Sequence, residues 1–199
     1  MVTDISEILA SIQGKPYYRM IRDLMRDKTV LDVGCGNGLI GYSFQKDVGA
    51  IVTQIDVYDS RHPATSEIPF TLTSAESLPY LNNLFDVVYA QFVLHHIESN
   101  ALVERVVKEM ARVTSKQLII HEEIATPRTN ILVAKEYDEQ MNALFNPGNP
   151  MKVYNYYTRE EIESLGTESG LELAEHRVLK EGTNEDGYLQ KHMFVFDKH

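Results

Sequence analysis

The chain has a single cysteine, Cys35, no tryptophan, and no apolar run approaching the about 18 residues that a membrane-crossing helix needs. One thiol excludes an internal disulfide and fits a reducing, cytoplasmic setting. The first residues, MVTDISEILASIQGKPYYRM, hold no basic segment followed by an apolar one, so no secretory signal is expected. Positive charge is scarce: 19 Lys and Arg stand against 29 Asp and Glu, a net charge of −10. Such a surface repels phosphate backbones and argues against a nucleic-acid partner. The one basic cluster, RMIRDLMRDK at 19–28, is interleaved with aspartates and reads as a solvated helix face. No repeat or low-complexity tract interrupts the 199 residues, and 43% hydrophobic content suffices for one domain around a single core.

What is present is an alternation of strands and helices. Ile5, Ile8, Leu9 and Ile12 make the stripe of a short helix over 3–13, and Pro16 suits the start of a second over about 16–27. Strands are expected at 29–33, 50–56, 69–74, around 86–90 and at 117–123. Helices are expected at about 38–47 and 99–113, the latter burying Leu102, Val106, Met110 and Val113. This order implies right-handed crossovers and a parallel sheet covered on both faces. Beyond Glu123 the pattern changes. A helix over 128–145 ends at NPGNP (146–150), and Thr158 with Glu161 forms a capping box for another helix. Runs at 171–180 and 192–198, joined by EGTNEDG, suggest an antiparallel pair.

The chemistry concentrates in TVLDVGCGNGLIGYSF, residues 29–44, where Gly34, Gly36 and Gly38 follow a strand and open a helix. A strand, glycine turn and helix in this order wrap a nucleotide-like ligand. A dinucleotide loop needs G-x-G-x-x-G, and Leu39 occupies its third glycine position. No Gly-Lys-Ser/Thr follows, and Lys46 is the only basic residue from Gly34 through Ala50, so nothing favours phosphate. Asp32 and Gly34 alternate onto one face at the strand's carboxyl end. A carboxylate there calls for a cationic partner, which an α-ammonium would supply, while the helix N-terminus would hold an α-carboxylate. The ligand suggested is an amino-acid-bearing nucleoside without phosphates; a structural turn with a capping aspartate is the alternative.

VLDVGCGNG resembles the first motif of the class I S-adenosylmethionine-dependent methyltransferases, of the small-molecule, type-11-like kind. SAESLPYLNNLFDVVYAQFVLHHI resembles that family's adenine-edge and fourth-strand segment, EMARVTSKQLIIHE the helix and fifth strand beyond, and YYTREEIESLGTESGLEL the helix and turn before the sixth. The likeness covers roughly 28–180. It implies an α/β, Rossmann-like, doubly wound seven-stranded sheet, mostly parallel with the last strand antiparallel, in a three-layer sandwich. It also implies S-adenosyl-L-methionine as methyl donor and S-adenosyl-L-homocysteine as product. Donor contacts would come from Asp32, Gly34, Cys35, Gly36 and Asn37, from Asp56 on the ribose with Val57 beside it, from Ser74, Ala75 and Glu76 at the adenine, and from Gln91. Two departures stand out: Ser74 replaces the acid that usually meets the adenine amino group, and TSKQ replaces the Pro-Gly-Gly turn before the fifth strand. One domain over 1–199 follows, with the N-terminal helices (1–27) and the 124–157 insertion as a lid over the acceptor.

Methyl transfer from a sulfonium requires a nucleophile held about 3 Å away and in line, with water excluded. A base is needed only for a protonated acceptor, so donor binding is more legible than acceptor chemistry. AQFV stands where an Asn-Pro-Pro-aromatic loop for base or amide nitrogen would be, and Cys35 lies in the donor loop, away from any acceptor. His95 and His96 follow the fourth strand and would deprotonate or orient the acceptor, His96 more so, or simply pack. HEE at 121–123 lacks recognised metal-ligand spacing, so no metal is expected, though Glu122 would suit an acceptor contact. Tyr17, Tyr18, Tyr154 and Tyr157 would wall the acceptor pocket, or pack between helices. The expectation is methyl transfer to a small-molecule acceptor, by a chain compatible with a homodimer and without membrane contact. The runners-up are a protein or tRNA methyltransferase working with a partner subunit, a donor-binding regulator without turnover, and a nicotinamide dehydrogenase.

Overall fold

The apolar strands read from the sequence assemble into one seven-stranded sheet in a computed structural model that describes residues 4–145, 151–180 and 187–199. The strands are β1 (Thr29–Val33), β2 (Ile51–Asp56), β3 (Phe70–Leu72), β4 (Phe85–Gln91), β5 (Thr114–Ile124), β6 (Glu172–Lys180) and β7 (Gln190–Asp197). Their spatial order is β3-β2-β1-β4-β5-β7-β6. β1 to β5 pair in parallel, and β7 runs antiparallel to both β5 and β6. The expected last antiparallel strand is therefore present. The helix break at 146–150 and all of the 181–187 turn except Gly187 lie outside the described residues.

Helices α1 (Ile5–Gly14), α2 (Pro16–Arg22) and α3 (Leu39–Val48) cover one face, and α4 (Asn100–Val113) and α6 (Arg159–Glu168) cover the other. Strand alternation sends Leu118 and Ile120 into the α4 side and Ile119 into the α3 side. The middle strands are apolar on both faces because both faces are covered. α5 (Ile131–Phe145) lies in the insertion after β5. The capping box of α6 forms as its residues predict: Glu161 N–H donates to Thr158 Oγ1 at 3.3 Å and Thr158 N–H to Glu161 Oε2 at 2.8 Å.

Boundaries shift where tertiary pairing overrides local pattern. β5 begins at Thr114 because α4 passes directly into a strand that pairs with Phe85, with a register shift before Val87. The second helix stops at Arg22 and continues as one 3₁₀ turn to Met25. Strand order reverses between β1 and β4, which opens a crevice at their carboxyl ends.

Candidate active site

β1 delivers the chain into the glycine loop at this crevice. Gly34 has φ +66°, and a β-carbon there would sit 2.6 Å from the Val93 side chain, so the loop and the β4 exit close on each other. Gly38 has φ +74°, with Gln54 and Thr65 filling the space a side chain would need. Beneath the loop, Gln54 Nε2 donates to Asp32 Oδ2 at 3.2 Å and to the Gly38 carbonyl at 2.8 Å. Gly41 in α3 admits this pair, since a β-carbon would lie 2.7 Å from Asp32 Oδ2. Alternation had put Asp32 on the ligand side. Its carboxylate is instead buried under the loop, off the cavity wall, where desolvation raises its pKa to about 7 against the opposing Gln54 hydrogen bond.

The crevice holds a cavity of about 360 Å³, within the range of small-ligand sites. Gly34 and Gly36 form its floor with Val33 and Ile55. Asp56 ends β2 at its edge, where Oδ2 accepts from Gly36 N–H at 2.8 Å and Oδ1 from Tyr58 N–H at 3.2 Å. Val57, Ser74, Ala75 and Glu76 line it on the β2–β3 side. Ser74 Oγ donates to Glu76 Oε1 at 3.2 Å and accepts from the Glu76 amide at 3.3 Å, which folds this turn toward the cavity. Cys35, Asn37 and Gln91 do not line it. Asn37 Oδ1 accepts from Leu39 N–H at the start of α3, and burial pushes the Cys35 thiol up, keeping it neutral. The cavity's charged lining is acidic, Asp56, Glu76 and Glu98, and none of the described lining residues is Lys or Arg.

The β4–β5 side is built from side chains. Phe92, at φ +56°, and Val93 follow β4 onto the wall, then a single 3₁₀ turn carries Leu94–His96. His96 lines the cavity, whereas His95 is buried behind it, with ring centroids 4.1 Å apart. His95 Nδ1 pairs with Glu122 Oε1 at 2.6 Å, and Glu122 also accepts from the Leu94 and Glu123 amides at 2.8 and 2.9 Å. The pair opposes desolvation: Glu122 beside it raises His95, and His95 holds Glu122 below the usual carboxylate range. Glu122 is therefore committed to His95 and the backbone, not free for an acceptor. The lid contributes Asn142, Met151 and Tyr154 to the cavity.

Three of the expected aromatic walls lie elsewhere. Tyr18 is fully buried between α2 and α3, stacked on Phe44 at 5.5 Å with its hydroxyl donating to Asp47 at 2.7 Å. Tyr157 is buried in the α4–α6 core, beside Asn100. Tyr17 packs on His121, 5.0 Å between centroids, and does not reach the cavity. On the β4 exit and insertion, the wall residues that sequence reasoning missed are Phe92, Val93, Ile97, Glu98 and Asn142. Only their place just past β4 or in the insertion signalled them. No metal-ligand cluster occurs among the described residues, and no described helix is long and apolar enough to cross a membrane.

Strand order, glycine loop and carboxyl-end cavity define a Rossmann-like nucleoside-binding fold. Residues 31–120 match the family model of a methyltransferase domain. The chain is 28% identical over 180 residues to the ubiquinone/menaquinone biosynthesis C-methyltransferase UbiE of Hydrogenovibrio crunogenus, covering 77% of this chain and 69% of that protein. Its fold is similar to Burkholderia thailandensis 1,6-didemethyltoxoflavin-N1-methyltransferase, solved with 1,6-didemethyltoxoflavin and S-adenosylhomocysteine, at a TM-score of 0.68, 14% identity, and coverage of 98% and 86% of the two chains. It is also similar to a chain in the complex that contains the Haloferax volcanii Trm112 methyltransferase activator, at a TM-score of 0.70 and 12% identity over 100% of both chains. Residues 31–120 thus read as a methyltransferase domain, and the whole fold is similar to that of the class I S-adenosylmethionine-dependent methyltransferases.

Proposed function

We propose that this chain transfers the methyl group of S-adenosylmethionine to a small-molecule acceptor held between the glycine loop, the β4 exit and the insertion after β5. The cavity carries the reading: it meets a glycine cradle, an acid at the end of β2 and, among the described residues, no Lys or Arg suited to phosphate. That lining fits a nucleoside bearing an amino acid. Gly34 and Gly36 would let the backbone approach the donor, Asp56 would accept from the ribose hydroxyls, and Ser74, Ala75 and Glu76 would meet the adenine edge. Asp32 would act indirectly, by holding Gln54 and the loop. The likeness to a C-methyltransferase of ubiquinone/menaquinone biosynthesis and to a methyltransferase solved with 1,6-didemethyltoxoflavin supports a small acceptor.

Calorimetry with S-adenosylhomocysteine tests this. The chain should bind it, and Asp56→Ala should weaken binding tenfold or more, about 1.4 kcal/mol. Unchanged affinity in the variant, or preferential binding of NADH, would overturn the assignment. The likeness to a chain of the Trm112 activator complex favours a second reading, a methyltransferase acting on protein or tRNA with a partner subunit. Stable co-purification of this chain with a small activator, and transfer only in its presence, would establish that instead.

A further inference from the structure

Among the described residues His96 is the one histidine on the cavity wall, and its ring is held at one end. Nδ1 lies 2.8 Å from the Lys152 carbonyl in the insertion. A carbonyl only accepts, so Nδ1 carries the proton and the neutral ring keeps its lone pair on Nε2. Nε2 has no hydrogen-bond partner among the described residues. The same segment is tied again by Tyr154 N–H donating to the His95 carbonyl at 2.8 Å, and by Lys135 Nζ donating to the Tyr154 carbonyl at 2.5 Å. Burial first, and the neighbouring His95 imidazole second, lower the pKa of His96 to about 4, outweighing Glu122 and Glu123.

An arylamine acceptor, already neutral near pH 7, needs no such group to attack, because its lone pair is free. A hydroxyl does need it, because its oxygen becomes strongly acidic as the new bond forms, and even a weak base then suffices. An anionic acceptor would meet the Glu98 carboxylate with no Lys or Arg on the described wall to offset its charge. Building on the donor-site reading above, we infer that the acceptor is an uncharged hydroxyl compound and that His96 Nε2 takes its proton. The oxygen lone pair makes the carbon–oxygen bond while the carbon–sulfur bond breaks and returns its electrons to sulfur. The proton moves from oxygen to Nε2 and then to solvent.

Three probes test this with S-adenosylmethionine: 4-(hydroxymethyl)phenol, 4-hydroxybenzoate and 4-(hydroxymethyl)aniline. Transfer to the phenol oxygen of the first should exceed transfer to either other probe at least tenfold. His96→Asn keeps an N–H for the Lys152 carbonyl but no base, and should lower kcat about 100-fold with S-adenosylhomocysteine affinity unchanged. Nitrogen-15 imidazole spectra of the S-adenosylhomocysteine complex should show His96 neutral with Nδ1 protonated from pH 5 upward. Preference for the carboxylate probe or for the amine nitrogen of the aniline, transfer to none of the three, full kcat in His96→Asn, or a protonated Nε2 at pH 7 would each overturn the inference. Failure to bind S-adenosylhomocysteine would break the donor reading instead.

Discussion

On the β1–β2 side of the crevice the wall is shaped by the backbone turn at Gly34 and Gly36, with Asp56 at its edge, and the loop is propped from below by Asp32 and Gln54. On the β4–β5 side it is mostly side chains, contributed by the β4 exit and the insertion and anchored by the buried His95–Glu122 pair. The first side is assembled from residues 32–56, close in sequence. The second joins residues 92–98 to Asn142, Met151 and Tyr154 of the insertion and leans on Glu122, so it exists only after the sheet and lid have met. Backbone shape suits a ligand that never varies, and side chains suit one that differs among enzymes of a common fold.

Removing the anchor of the second side should have the largest effect. Glu122→Ala leaves a buried histidine and two backbone amides without their acceptor, and should cost about 3–5 kcal/mol in urea unfolding. Because His95 is raised, its share of that stability is full below its unfolded pKa of 6.5 and fades as pH climbs through the folded value. Glu122 is depressed, so its share is present above 4.5 and is lost as pH falls through its folded value. The difference from wild type should therefore be widest at about pH 4.5–6.5. A loss under 1 kcal/mol there would show that the pair does not anchor the wall.

On the first side, Gly41→Ala should cost about 1–3 kcal/mol despite the better helix propensity of alanine, because the new methyl meets Asp32 and Gln54. A gain in thermal stability would break the claim that this glycine serves the polar pair. Asp32→Asn should act least and with the opposite sign. The folded pKa of Asp32, about 7, lies above its ordinary 3.8, so wild type loses stability as pH rises between them. The variant should be flatter over that interval and more stable by about 1–2 kcal/mol at pH 8. Unfolding at pH 5 and pH 8 reads the difference, and equal slopes would place the carboxylate in water.

Much of the first side was legible because its signals are local. Three glycines spaced by two, an acid two residues ahead and another at the end of the next strand all lie on elements whose alternation can be read directly. Even there, the partner of Asp32 is not legible: alternation assigns a face but not which neighbours fill it, and Gln54 meets the carboxylate. On the second side, His96 and Tyr154 lie on the cavity, while Tyr17, Tyr18, Glu122 and Tyr157 do not. A tyrosine at helical spacing carries no mark that separates a pocket wall from a core filler. The fate of Glu122 depended on His95, 27 residues away.

The sequence by itself determined the strand and helix alternation, the antiparallel end of the sheet and a glycine loop unsuited to phosphate. These follow from periodicities of two and 3.6 and from backbone freedom, which act over a few residues. Only the tertiary structure decided which histidine lines the cavity, which carboxylates are spent on internal partners and which nitrogen of His96 is left unbonded. Those outcomes rest on burial and on hydrogen bonds between segments up to about sixty residues apart.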